Sequence, residues 1–250
     1  MPRFRHDDVE IAFLDEGEGE PMVLVHGFAS NAVVNWVQPG WVSFLKAAGR
    51  RVIALDNRGH GASTKLYDPA AYHSARMAAD VAALLDHLGL SRADVMGYSM
   101  GARITAFLAM DNPLRVRSAI FGGLGSRLVE GMGAPEDVAE ALEASSLAAV
   151  SDPRARMFRI FAEQTESDLR ALAACMRGSS QTLTPAQLAT IQVPALVAIG
   201  SKDVIAGSAA ALATLLPAGE ALEIPGRDHM TAVGDKVFKQ GVLSFLAARP

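Results

Sequence analysis

Residues 93–110, ADVMGYSMGARITAFLAM, decide how the rest of the chain is read. Ala93–Gly97 is a short apolar run of strand length, and Ala102–Met110 carries a helical pattern. Between them stands Gly97-Tyr98-Ser99-Met100-Gly101, a G-x-S-x-G motif in strand–turn–helix context. A turn this tight leaves no room for a Cβ at either flanking position, which is what Gly97 and Gly101 provide. The turn lifts Ser99 out of the sheet to the start of the helix, and the Met100 N–H points where negative charge would develop.

The same rhythm extends outward. Further strand candidates are Met22–Val25, Arg51–Leu55, Arg117–Phe121, Pro194–Ile199 and Ala221–Ile224. Several are apolar at successive positions, as expected of strands covered on both faces. Helical patterns at Trp41–Ala48, Ser74–Leu88, Ser208–Leu215 and Val233–Ala248 alternate with them. The alternation predicts an α/β fold: a mostly parallel, doubly wound sheet of about eight strands flanked by helices. Phe4–Leu14, followed by a polar turn at Glu16–Glu20, reads as an antiparallel edge hairpin or meander.

One stretch departs from this pattern. From Ser126 to Ile191 the chain is helical throughout, in pieces Pro135–Val150, Pro153–Gln164, Ser167–Arg177 and Pro185–Ile191. Pro135, Pro153 and Pro185 each stand where a helix can begin. The expected organisation is one core formed by 1–125 and 192–250, interrupted by a helical cap over 126–191.

Composition bounds the function. The chain has 250 residues, half of them hydrophobic, and a formal net charge of −4 with the signs interspersed, so a nucleic-acid footprint has no support. Mean hydropathy is +0.20. Yet the apolar stretch Val204–Leu216, free of charge and proline, falls well short of the ~20 residues of a membrane span. The opening MPRFRHDDVE has no apolar segment of the secretory kind, and the expected location is cytoplasmic. A single cysteine, Cys175, excludes a disulfide framework within the chain and reads as a small buried hydrophobe. His6, His73 and His87 show no ligand-like spacing, so neither a metal nor a cofactor is expected.

Four further segments stand at strand ends. His26-Gly27-Phe28 closes Met22–Val25, and Asp56-Asn57-Arg58-Gly59-His60-Gly61-Ala62-Ser63 follows Arg51–Leu55. Near the end, Gly200-Ser201-Lys202-Asp203 and Gly226-Arg227-Asp228-His229 follow the last two strands. With the serine turn, these segments resemble the α/β-hydrolase superfamily, in which nucleophile, acid and histidine come in the order Ser99, Asp203, His229. The resemblance covers nearly the whole chain except the insertion. It implies Ser99 as nucleophile, His229 as the base a hydroxyl needs at neutral pH, and Asp203 as the group orienting the imidazole. Asp228, beside the histidine, is the competing acid. The resemblance further implies an oxyanion hole from the backbone N–H groups of Phe28 and Met100. His26, Asp56, Arg58 and His60 are expected to tie the loops together rather than touch substrate.

Epoxide hydrolases and haloalkane dehalogenases of this superfamily carry a carboxylate where Ser99 stands, which argues against both. The remaining expectation is hydrolysis of a carboxylic ester or lactone through an acyl-enzyme. C–C bond hydrolysis or thioester hydrolysis with the same triad are alternatives, as is a ligand receptor on the same scaffold. The partner is a small ester-like molecule whose size the insertion should set; Met132, Met157 and Met176 within it read first as ordinary helix core, with a pocket-facing position as the alternative. Oligomeric state is not legible.

Overall fold

The computed structural model describes residues 1–249. An eight-stranded sheet is formed by β1 (Arg3–His6), β2 (Val9–Glu16), β3 (Glu20–Val25), β4 (Arg50–Leu55), β5 (Ala93–Tyr98), β6 (Val116–Gly122), β7 (Ala195–Gly200) and β8 (Gly219–Ile224). The strand order is β1-β2-β4-β3-β5-β6-β7-β8. β1 pairs antiparallel with β2, and β2 antiparallel with β4; every other pairing is parallel. The predicted opening hairpin is therefore a meander that caps one edge of the sheet.

Period-two alternation sends neighbouring side chains to opposite faces. Val23, Val25, Ile53, Val95, Phe121 and Val197 pack on one side. Met22, Leu24, Val52, Met96, Ile120 and Leu196 pack on the other. Helices α2 (Ser74–His87), α3 (Met100–Asp111) and α9 (Ala209–Ala213) cover the first face; α1 (Trp41–Ala47) and α10 (Lys236–Ala248) cover the second. This double covering explains why the inner strands read as continuous apolar runs.

Between β6 and β7 the chain forms α4 (Arg127–Glu130), α5 (Pro135–Glu143), α6 (Pro153–Gln164), α7 (Leu169–Gly178) and α8 (Pro185–Leu188), with no strand among them. Pro135, Pro153 and Pro185 all open helices. The helix expected over Pro135–Val150 ends instead at Glu143, because Arg159 reaches across from α6. Its Nη1 donates to the carbonyls of Ala141, Leu142 and Ala144 at 2.8, 3.0 and 3.0 Å. That satisfies the terminal carbonyls from outside the helix. Similarly, α10 starts at Lys236 rather than Val233 because the Asp235 carboxylate caps it, accepting from Val237 N–H at 2.7 Å.

At the end of the sheet remote from the strand C-termini, buried Asp94 accepts from Arg50 Nη1 at 3.1 Å, Arg249 Nη2 at 2.8 Å and Ser118 Oγ at 2.7 Å. Glu20 engages Arg50, Arg117 and Arg249, so β3, β4, β6 and the C-terminal helix meet in one ion network with β5. Removing one charge from a buried network leaves its partners uncompensated. Asp94→Asn is expected to lower the unfolding free energy by about 3 kcal/mol, read as a fall in the urea midpoint. An unchanged midpoint contradicts this account of the network.

Candidate functional site

All the loops of interest leave the carboxyl ends of the parallel strands, where α/β sheets bind ligands. β4 and β5 lie on opposite sides of β3, so the crevice opens at the reversal of strand order.

The turn from β5 into α3 is dictated by close packing. A Cβ on Gly97 would lie 2.0 Å from the Gly101 carbonyl oxygen, and one on Gly101 would lie 1.9 Å from that of Val25. Ser99 itself is held at φ 53°, ψ −112°, a strained conformation for a residue with a side chain. Its Oγ lies 3.1 Å from His229 Nε2. His229 Nδ1 in turn lies 2.7 Å from Asp203 Oδ2, so with Nδ1 protonated the imidazole donates to the carboxylate and presents a lone pair to the serine.

The Asp203 side chain is fully buried, and its other oxygen accepts from the N–H groups of Ile205 and Ala206 at 2.8 and 3.0 Å. Two further bonds lace its loop to that of His229: Lys202 N–H to the Arg227 carbonyl at 2.9 Å, and Gly226 N–H to Ser201 Oγ at 2.8 Å. Asp228 is engaged elsewhere. Its Oδ1 accepts from Met230 N–H, Thr231 N–H and Thr231 Oγ1, bonds that hold its carboxyl below the ordinary value. Of the two candidate acids, the structure brings Asp203 to His229.

The loop after β3 is fixed by residues of the loop after β4. His26 Nδ1 donates to the Gly27 carbonyl at 2.7 Å, and its Nε2 accepts from Asn57 N–H at 2.9 Å. Asn57 Nδ2 donates back to the His26 carbonyl at 3.0 Å. Asp56 accepts from Ala32 N–H and Ala62 N–H, both at 2.8 Å, and a Cβ on Gly61 would collide with that carboxylate. Arg58 forms a bidentate pair with Asp80 at 2.7 Å for each bond. These contacts give His26, Asp56 and Arg58 loop-building positions. Burial lowers His26 to about 4 and His60 to about 3, so both are neutral at ordinary pH. Phe28 stacks edge-on against His60 and against Phe158 of α6. The Phe28 and Met100 N–H groups take no partner among the described residues, and both residues line a cavity with Ser99.

Two cavities meet at Ser99. The larger, about 220 Å³, is lined by Phe28, Asn35, Phe158, Phe161, His229 and Val233 among others. The narrower, about 50 Å³, lies on the Met100 side beneath the insertion and includes Arg103, Met132, Arg154 and Met176. Met132 and Met176 thus face a cavity, whereas Met157 lines a separate outer groove. Cys175 is buried, its thiol pushed up to about 12 by burial, with Sγ 3.7 Å from Met100 Sδ. Among the described residues no group of three His, Cys, Asp or Glu could hold a metal, and no helix is long and apolar enough to cross a membrane.

A family profile described as alpha/beta hydrolase fold matches residues 20–154, which include β3 to β6 and the Ser99 turn. The chain belongs to the α/β-hydrolase fold family. Over 244 residues this hydrolase-fold chain is 31% identical to the dihydrolipoyllysine-residue acetyltransferase component of the acetoin cleaving system of Pseudomonas putida. That match covers 91% of this chain and 64% of that protein. It is 29% identical over 260 residues to a 2-(acetamidomethylene)succinate hydrolase of Mesorhizobium japonicum, covering 94% and 90% of the two. A solved structure of an N-acyl homoserine lactone degrading enzyme superposes with a TM-score of 0.76 at 25% identity, covering 98% of this chain and 100% of that one. The chain spans less than two thirds of the length of the first curated relatives it matches, which include proteins named as non-heme peroxidases.

Three residues at the α/β-hydrolase site escape sequence reasoning. Tyr98 donates its hydroxyl to the His229 carbonyl at 2.6 Å, and burial raises its pKa so that it stays a donor. Asn35, on a π-helical turn over Val33–Val37, accepts from Gly27 N–H at 3.0 Å. Arg103 lies one turn into α3 with its side chain buried. Tyr98 fills the second position of G-x-S-x-G, where any residue is allowed, and nothing in the pattern marks Asn35.

Buried neutral His26 and His60 have a consequence for stability. Both gain access to protons only on unfolding, so below the ordinary 6.5 the unfolded state binds more protons and stability falls toward pH 4. Each contributes a slope of about 1.4 kcal/mol per pH unit in that window. Denaturation series between pH 6.5 and 4 should therefore show a shallower fall for His60→Gln than for the unaltered chain. Equal slopes contradict the assignment of a neutral buried imidazole.

Proposed function

We propose that the protein is a serine hydrolase acting on a carboxylic ester or lactone, with Ser99, His229 and Asp203 as its triad. One observation carries the reading: the continuous hydrogen-bonded chain from Asp203 through both nitrogens of His229 to the strained Ser99. The Ser99 Oγ attacks the substrate carbonyl while His229 Nε2 takes its proton. The tetrahedral oxyanion is met by the N–H groups of Phe28 and Met100, the proposed oxyanion hole. His229 then returns the proton to the departing alkoxide, leaving an acyl group on Ser99. A water molecule, deprotonated by the same imidazole, releases the acid and regenerates the serine.

Because His229 protonates the leaving group, that half of the substrate occupies the larger cavity on the His229 side. The acyl half then extends past Met100 into the narrower one. Helices α4 to α8 act as a cap over residues 126–191, lending Phe158, Phe161 and Met176 to these walls. Thr165 fastens the cap to the oxyanion loop by donating to the Ala29 carbonyl at 2.9 Å. The lactone-degrading structural relative is consistent with an acyl–oxygen bond as the target.

Short-chain 4-nitrophenyl esters provide the test. Ser99→Ala should lower kcat by about 10³-fold or more, and Asp203→Asn by at least about 10²-fold. Asp228→Asn should stay within about threefold, since asparagine caps the same turn. The rate should also rise with pH where an imidazole gives up its proton. Full activity in Ser99→Ala, or equal losses at Asp203 and Asp228, overturns the triad.

A further inference from the structure

The narrower cavity contains a charge that no carboxylate among the described residues neutralises. Arg103 is 4% exposed and lines the cavity together with Ser99. Of its five guanidinium N–H groups, those engaged belong to Nη1, which donates to the Ser179 carbonyl at 2.6 Å; Nε is buried without a partner. Burial pulls the Arg103 guanidinium down to about 10, which still leaves it protonated at neutral pH. The second arginine on the wall, Arg154, donates to the carbonyls of Met132 and Ala134 and pairs with no carboxylate among the described residues. No aspartate or glutamate lines this cavity.

The other buried arginines differ. Arg58 faces Asp80 bidentately, and Arg159 pairs with Glu163 at 2.7 Å as well as capping α5. A buried cation without an anion is costly. One neutral carbonyl leaves most of the Arg103 donor set unused, so a purely structural tether between α3 and α7 is incomplete. The backbone places the charge close to the reaction: Arg103 N–H bonds to the Ser99 carbonyl at 3.2 Å, one helical turn from the nucleophile. The cavity holds roughly three to five water-sized groups. That volume suits a chain of two methylenes ending in a carboxylate.

We propose that the acyl half of the substrate carries a carboxylate that binds Arg103, with Arg154 as a second cation, making the protein selective for half-esters or lactones of short dicarboxylic acids. This inference rests on Ser99 being the nucleophile with the acyl group on its Met100 side. The carboxylate takes no part in bond breaking. It supplies the missing counter-ion and sets the distance between the charged end and the scissile carbonyl.

Monobenzyl succinate and benzyl butyrate differ only in a carboxylate for a methyl group. The unaltered enzyme should hydrolyse the succinate with kcat/KM at least about tenfold higher, and Arg103→Met should bring the ratio to near one. Arg154→Met, which cuts no contact between α3 and α7, should reduce the ratio partially. A butyrate turned over as fast as the succinate overturns the carboxylate proposal while leaving the hydrolase intact. Calorimetry on the Ser99→Ala protein reads the cavity without turnover. Monobenzyl succinate should bind at least about tenfold tighter than benzyl butyrate, and more weakly as salt rises. Equal affinities overturn the proposal even if neither ester is hydrolysed by the unaltered chain, an outcome that by itself would remove the hydrolase reading instead.

Discussion

Where β5 turns into α3, three pieces of backbone come within contact of one another with no side chain between them. Gly97 faces Gly101, and Gly101 faces the carbonyl at the end of β3. This approach holds Ser99 at positive φ, at a cost of order 1–3 kcal/mol that the surrounding packing must offset. The site depends on that constraint. A looser turn would let the serine relax into the sheet or the helix, and its Oγ would leave the line toward His229. The close contact also sets the distance between the first turn of α3 and the end of β3.

The surrounding loops are built to keep that turn from relaxing. His26 and Asn57 exchange hydrogen bonds in both directions, so the loops after β3 and β4 behave as one unit. Tyr98 reaches from the strand below Ser99 to the backbone of His229, coupling the serine turn to the imidazole loop through a single side chain. Gly122 and Gly123 leave the space its ring occupies. On the far side, the Asp203 and His229 loops are laced by backbone and serine contacts rather than by the charged pair alone. The imidazole orientation is therefore over-determined, as a preorganised site requires.

Much of this was legible in the amino-acid order because the motifs are backbone requirements written as residue types. Glycines at 97, 101 and 61 mark positions where a Cβ meets a carbonyl or carboxylate. The proline starts of the insertion helices, and the alternation that yields a doubly covered sheet, are local signals of the same kind. Where helices end was less legible. Arg159 stops α5 from another helix, and Asp235 starts α10 later than its apolar pattern suggests. The walls of the two cavities were hidden for a related reason. Arg103 lies on a helix whose pattern reads as core, and only the packing of α7 against α3 shows that its guanidinium lacks a counter-ion. Composition says which residues are present, but pairing is a property of the assembled structure.

The central claim is that Ser99 is an activated nucleophile because the Asp203–His229 chain reaches it. An active-site-directed alkyl phosphonate followed by peptide mass spectrometry tests this most directly, since phosphonylation needs the activated serine but no knowledge of the substrate. The account predicts one adduct per chain, on the peptide containing Gly97–Gly101 and at Ser99, with labelling slowed strongly in His229→Gln. An adduct on another serine, or labelling at an unchanged rate without His229, would contradict it.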